Sequence, residues 1–235
     1  MWNNLFISIV GSIIAACVIF YFVHSKEWFK ILIGRYRLNK RIYKAGITNI
    51  YESRDDYAKY RNYPKITPKL LDYLKLAEKN IYISAYWMAH GTEIEGITQG
   101  IIDLVKPPKS LNITVCVINP DSQCINAISQ HLGMPEKELV ERIRTSITKL
   151  KQAKNRLSKE EKQKMTIKTH DSLPVASAII LDYDSDNCRM QLEFKPYQVD
   201  RHYNCSIELS GKEKGLYKLL SDSFIKQIND ANKIN

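Results

Sequence analysis

Residues 111–118 read LNITVCVI. A run this apolar and β-branched, closed by Asn119-Pro120-Asp121-Ser122, predicts a strand buried on both faces. Such a strand needs helical cover on each side, and the flanking sequence offers it. Upstream, Asn80–Tyr86 (NIYISAY) is a second strand. Gly91 and Gly96 flank a loop, and Ile94–Val105 forms a helix that Pro107-Pro108 ends. Downstream come a short helix, Ile125–Leu132, and a long one, Pro135–Arg156. In the long helix Leu139, Val140, Ile143, Ile147 and Leu150 recur at helical spacing.

The remaining segments extend the same alternation. Residues 46–63 are rich in charge and tyrosine and read as a connector with a short helix around Asp55–Arg61. Thr67 caps a helix over Pro68–Glu78, with proline at its first position. Met165–Thr169 and Pro174–Asp182 are further strands. Asp184–Asn187 is a turn that makes Cys188–Phe194 the second arm of a hairpin. Asn204–Leu209 is another strand, and Leu216–Ala231 is a closing helix. The fold class expected is α/β, a sandwich with a mixed sheet that is parallel at its start.

Residues 5–23, LFISIVGSIIAACVIFYFV, carry no charge. At ~1.5 Å per residue they span roughly 28 Å, close to the hydrocarbon thickness of a bilayer. A cleaved signal would carry positive charge ahead of the run. A lipoprotein signal ending at Cys17 would leave the apolar stretch to Val23 unexplained. The reading adopted is a single-pass transmembrane anchor over residues 1–25. Every cation near it lies on the C-terminal side, which predicts the N-terminus outside and the bulk of the chain in the cytoplasm, at the inner membrane. Residues 26–45 form a basic amphipathic collar. Lys26, Trp28, Lys30, Arg35, Arg37, Lys40, Arg41 and Lys44 are its expected lipid-surface residues, each cation worth about 1 kcal/mol at most near an anionic leaflet. Ser8, Gly11, Ser12, Ala15 and Ala16 present small side chains at close spacing, a pattern that lets transmembrane helices pack. The plain alternative is that small residues are common in such helices. Residues 46–235 then form one cytoplasmic domain.

The chain of 235 residues has a net charge of +10, but residues 1–44 hold +6 of it. The basic cluster within Arg142–Lys168 reads as a solvated helix face, so nucleic acid is not an expected partner. Membrane lipids are expected, with a second copy or a protein partner. Five cysteines without a CxxC pair or a zinc-type histidine spacing point to free thiols, with Cys116 inert in the core. No metal or other cofactor is expected.

Four pieces of the sequence resemble a single phospholipase D-like domain over roughly residues 66–230. They are the helix ending Leu76-Ala77-Glu78-Lys79-Asn80-Ile81, the strand Ile113–Pro120, the strand pair Thr166–Thr169 and Val175–Asp182, and the hairpin Asp182–Phe194. Rossmann-like sensor domains share several of these cues. The active family carries His-x-Lys-x4-Asp on the strand that here reads LPVASAIILD. Asp182 keeps the aspartate, but Val175 and Ser177 stand where histidine and lysine would be. Valine cannot serve as a nucleophile. The resemblance therefore implies the fold without its hydrolysis, and no catalytic residue is assigned.

Ligand-binding candidates are Arg54, His90, Thr92, Asn119, Asp121 and Ser122. Arg54 could meet an anion, against the plainer reading of a surface ion pair. The others follow strands, where open α/β sheets bind ligands in the crevice at the carboxyl ends. Ordinary loop polarity is the competing explanation. His170-Asp171-Ser172 has triad composition, but adjacent residues cannot assemble one relay.

Together these features predict a membrane-anchored, non-catalytic sensor or effector, resembling single-anchor effectors of bacterial antiviral systems. The alternatives are a divergent phosphodiesterase using His170 or His90, and a membrane scaffold that recruits a partner protein.

Overall fold

In a computed structural model, residues 33–51, 70–88, 92–199 and 203–234 are described, with backbone alone at 92 and 93. The chain divides into two compact units, residues 1–44 and 45–235. The apolar run 5–23, its small-residue positions, Lys26, Trp28 and Lys30 lie outside the described residues. So do Arg54, His90 and the expected helix around Asp55–Arg61. Among the described residues no helix is long and apolar enough to cross a membrane.

Helix α1 covers 33–45. Arg37, Lys40, Arg41 and Lys44 recur at i, i+3, i+4 and i+7, so one stripe of the helix carries four cations. Those four, with Arg35, Ile33, Tyr36, Leu38 and Tyr43, are all exposed.

In the second unit, β2 (Asn80–Ala85), β3 (Asn112–Ile118) and β4 (Met165–His170) lie side by side and parallel. The helices between them run α3 (Thr92–Val105), α4 (Ile125–Leu132), α5 (Glu136–Asn155) and α6 (Lys159–Lys164). An antiparallel half continues from β2 through β5 (Ser177–Leu181), β6 (Arg189–Glu193) and β7 (Ser206–Ser210) to β1 (Ile47–Tyr51). A two-residue β8 (Asn232–Lys233) pairs with β4. The sheet order is β1-β7-β6-β5-β2-β3-β4-β8. The mixed α/β sheet expected from the sequence is present.

Three expectations are corrected. Residues 47–51 are not connector but an edge strand, held antiparallel to β7. The strands at 165–170 and 177–181 are consecutive in sequence yet do not pair, because β2 and β3 lie between them. The expected helix over Pro68–Glu78 is described only as α2 (Leu70–Leu74), ending in turns at Lys75 and Leu76.

Two cores lie on opposite faces. On one, Ile81, Ile83, Ile113, Val115, Val117, Met165 and Ile167 pack against Ile101, Val105, Ile128, Leu139, Ile143 and Leu150 of the intervening helices. On the other, α7 (Gly215–Asp230) sets Tyr217 and Phe224 on Ala178, Ile180, Met190, Leu192 and Leu209. Cys116, in the middle of β3, is fully buried, and burial pushes its thiol pKa up to about 12, as expected of an inert core cysteine. All four described cysteines are free.

Local chemistry fixes the ends of these elements. Gly133 closes α4 in the left-handed conformation (φ 64°), and the amides of Gly133 and Met134 return to the carbonyls of Gln130 and Ser129. Ser158 and Glu161 form a capping box that starts α6. The basic α5 is a solvated face as expected, with ion pairs Arg142–Glu138 (2.6 Å) and Lys149–Glu95 (2.9 Å).

Candidate functional site

The carboxyl ends of β2, β3 and β4 meet the amino end of β5 at one edge of the sheet. Register pairs Ser84 with Ala178, Ile118 with His170, and Ser177 with Glu193 and then Ser206. The candidate residues of the sequence fall into separate groups here. Asn119 and Ser122 converge on one residue, Asp171. Asn119 Nδ2 donates to Asp171 Oδ1 at 2.9 Å, and Ser122 Oγ donates to its carbonyl at 3.2 Å. Cys124 Sγ lies 3.0 Å from the same carbonyl. Asp121 turns away to meet Arg144 of α5 at 3.0 Å, an exposed pair worth at most about 1 kcal/mol. Thr92 opens α3.

The residues that sequence reading missed lie on the α7 side of this edge. Ser84 Oγ donates to Gln227 Oε1 (3.0 Å), and Gln227 Nε2 donates to Ser172 Oγ (2.7 Å). Ser172 in turn meets His170: its Oγ and its carbonyl oxygen each lie 3.1 Å from Nδ1. A carbonyl only accepts, so Nδ1 carries the proton and Nε2 presents its lone pair. The imidazole is 4% exposed, and Nε2 has no hydrogen-bond partner among the described residues. Burial holds its pKa below the usual histidine value, against the opposing pull of the Ser172 hydrogen bond and the Asp171 charge. The ring is therefore neutral at pH 7. Asp171 points to Asn119 rather than to His170, so the adjacent His-Asp-Ser sequence forms no relay.

This chain of hydrogen bonds underlies a pocket of about 540 Å³ between the β4–β5 connection and the C-terminal half of α7. Its walls include His170, Asp171, Val175, Phe224, Gln227 and Asp230. A larger groove of about 760 Å³ runs along α5, but all its described lining residues belong to that one helix. No second element converges there, so it is not taken as the site.

On the opposite face of the same edge, Tyr86 and Trp87 continue β2. Tyr86 donates from its hydroxyl to the Pro174 carbonyl at 3.0 Å, and burial raises its pKa to about 12. Lys195 Nζ stands 5.4 Å from the Tyr86 ring and 5.7 Å from that of Trp87, and Arg142 lies 5.6 Å over Trp87. Glu193 accepts from Lys195 (2.8 Å) and from Asn204 (2.8 Å). These polar groups are engaged with one another and fix the loops after β2 and β6.

Val175, which the sequence comparison set at the expected nucleophile position, is 79% exposed. Asp182, expected there as the motif's aspartate, is buried at the opposite edge. Its carboxylate accepts from the backbone amides of Glu78 (2.9 Å), Lys79 (2.7 Å) and Asn80 (3.1 Å). It joins β5 to the entry of β2 and takes no part in the site. Among the described residues no group of three or more His, Cys, Asp or Glu side chains could hold a metal ion.

No protein-family model matches the chain, and no curated protein matches it. Solved structures do. One is TrmBL2, described as an archaeal chromatin protein with a novel mode of DNA binding. It has 11% identity and a TM-score of 0.45, over 89% of this chain and 64% of that one. The chain thus spans just under two thirds of its length. Another is Nuc from Salmonella typhimurium, a phospholipase D family member, at 8% identity and a TM-score of 0.43, over 70% of this chain and 88% of that one. A phospholipase D family structure is thus among the neighbours of this α/β fold. Both scores lie below 0.5, and no residue role is transferred from either protein.

Proposed function

We propose that the chain is a membrane-tethered, non-catalytic binding protein whose domain receives a small ligand or a protein partner at the edge formed by the ends of β2–β4. The reading is carried by one geometric observation. The chain enters the sheet at Gly46–Ile47, the end of β1 that pairs with Leu209, whereas the candidate edge lies at the other end, where Tyr51 pairs with Ser206. Five residues of strand, at ~3.3 Å each, separate the two. That edge therefore lies a strand's length away from the point where the chain enters the sheet, and the incoming segment does not occupy it.

The same edge carries Leu173, Val175, Tyr197 and Tyr203 exposed. Clustered exposed apolar side chains mark interaction surfaces. The exposed cations of α1 support contact with an anionic leaflet on the tether side. Occupation of the distal edge would then be read out through the anchor and its collar at the inner membrane. The sequence supports a non-catalytic reading through Val175 and Ser177 at the motif positions.

The test uses the full chain in native membranes and in mild detergent. Val175→Glu combined with Tyr203→Glu is expected to remove whatever copurifies while leaving sedimentation with membranes unchanged. Retention of the copurified component would reject the edge as the receiving surface. Cleavage of a model phosphodiester by the wild type, abolished by His170→Ala, would overturn the non-catalytic reading. Recovery of the full chain in the soluble fraction would overturn the tether.

A further inference from the structure

We infer that the pocket between the β4–β5 connection and α7 takes a small organic amine. The inference rests on reading the domain as a binding module and names the chemistry of one of its sites.

Three of the polar groups that line the pocket only accept, namely His170 Nε2 and the carboxylates of Asp171 and Asp230, while its hydroxyl and amide groups both donate and accept. His170 lines its wall as the neutral tautomer, with Nε2 bare and buried. A buried acceptor left without a donor is unfavourable, and a ligand N–H, direct or through one bridging water, supplies the missing bond. Asp171 spends one carboxylate oxygen on Asn119. Asp230 stands at the end of α7. Together these two acids face a single lining cation, Lys226. An anionic ligand would meet two carboxylates and a lone pair. A protonated amine meets complementary charge and three acceptors.

The rest of the lining suits the carbon portion of such a ligand. Phe224 offers an aromatic ring, and Leu173, Pro174, Val175 and Leu220 supply apolar wall. The polar chain Ser84–Gln227–Ser172 holds the floor rigid, because each member is fixed by the next. The rest of the chain works against adventitious attraction of amines, since its net charge is +10. Binding of an amine would thus report the pocket rather than the surface.

Calorimetric titration of the full chain in neutral detergent with spermidine, and separately with inorganic phosphate, tests the inference. Spermidine is expected to bind one-to-one, with affinity at least tenfold above that for phosphate. Asp230→Asn, at an exposed position, should weaken it at least tenfold with unchanged thermal unfolding, and Gln227→Leu should also weaken it by releasing Ser172. Vesicles of phosphatidylethanolamine supply the amine from a lipid, and their competition with spermidine would assign the headgroup as its source. Preferential binding of phosphate, no binding of spermidine, or binding indifferent to Asp230→Asn would overturn the amine. Copurification with the full chain is read apart from the titration, so absence of amine binding with copurification retained rejects the amine and leaves the receiving edge standing.

Discussion

Asp182 adopts φ 51° and collects three backbone amides with one carboxylate. Charge-assisted bonds of this kind are individually strong, and removing the acceptor strands three donors at a sheet end. Asp182→Ala is expected to destabilise the domain by about 3 kcal/mol, read from urea unfolding of the full chain in detergent. Asp182→Asn should cost less, since asparagine tolerates positive φ and keeps one acceptor oxygen. His170 gives a second residue-scale expectation. Its folded pKa is depressed, so below the unfolded value of about 6.5 the unfolded chain binds the proton that the folded chain resists. Stability contributed by this group is therefore complete above about pH 6.5 and declines as pH falls below it. Unfolding midpoints at pH 5 and pH 7 should converge in His170→Gln relative to wild type. Neither role was legible in the sequence. The motif comparison flagged Asp182 as a remnant, but its partners lie about a hundred positions away. His170 attracted attention only as a triad-like neighbour of Asp171, and its true contacts, through Ser172 to Gln227 and Ser84, depend on α7 lying across β2 and β4.

At the scale of elements, legibility followed burial. β3 and β2 announced themselves because both faces are covered, which leaves an apolar run with no competing pattern. α5 did so through its repeating apolar positions. β1 did not: ITNIY has one fully buried side chain, Tyr51, and polar residues around it, so its strand state comes from pairing with β7 and not from local pattern. The strand order was equally hidden, since nothing local says that β5 pairs with β2 rather than with β4. The junction of α1 and β1 turns on Gly46, at φ 85°, where an added Cβ would stand 2.7 Å from the Ser210 carbonyl oxygen. That contact is with backbone and cannot be relieved by a rotamer change. Gly46→Ala is expected to cost about 2 kcal/mol or more, combining positive-φ strain with displacement of the β1–β7 pairing. A thermal shift of several degrees in the full chain would check it, and an unchanged melting curve would show that the junction yields.

For the whole molecule, the division at residue 44/45 separates the sheet and its two cores from the collar. Among the described residues both buried clusters draw their members from the second unit. Deleting residues 1–25 is therefore expected to move the protein from the membrane fraction to the supernatant while leaving its unfolding free energy within about 0.5 kcal/mol of the full chain's. Loss of cooperative unfolding on deletion would show that the sheet depends on the anchor. At this scale the alternating α/β pattern was legible, because its buried strands and amphipathic helices are each self-announcing, whereas the uncharged run at 5–23 lies outside the described residues. What the edge of the sheet binds was the least legible, because its pocket is assembled from residues that only the fold brings together.

The far border of the sheet is closed by very little. Asn232 and Lys233 pair with Thr169 and Lys168, and the amide of Ile234 reaches the carbonyl of Ile167. Without residues 232–234 the outer side of β4, a strand with apolar neighbours, would present open hydrogen-bonding groups and could turn a discrete particle into a template for stacking with its own kind.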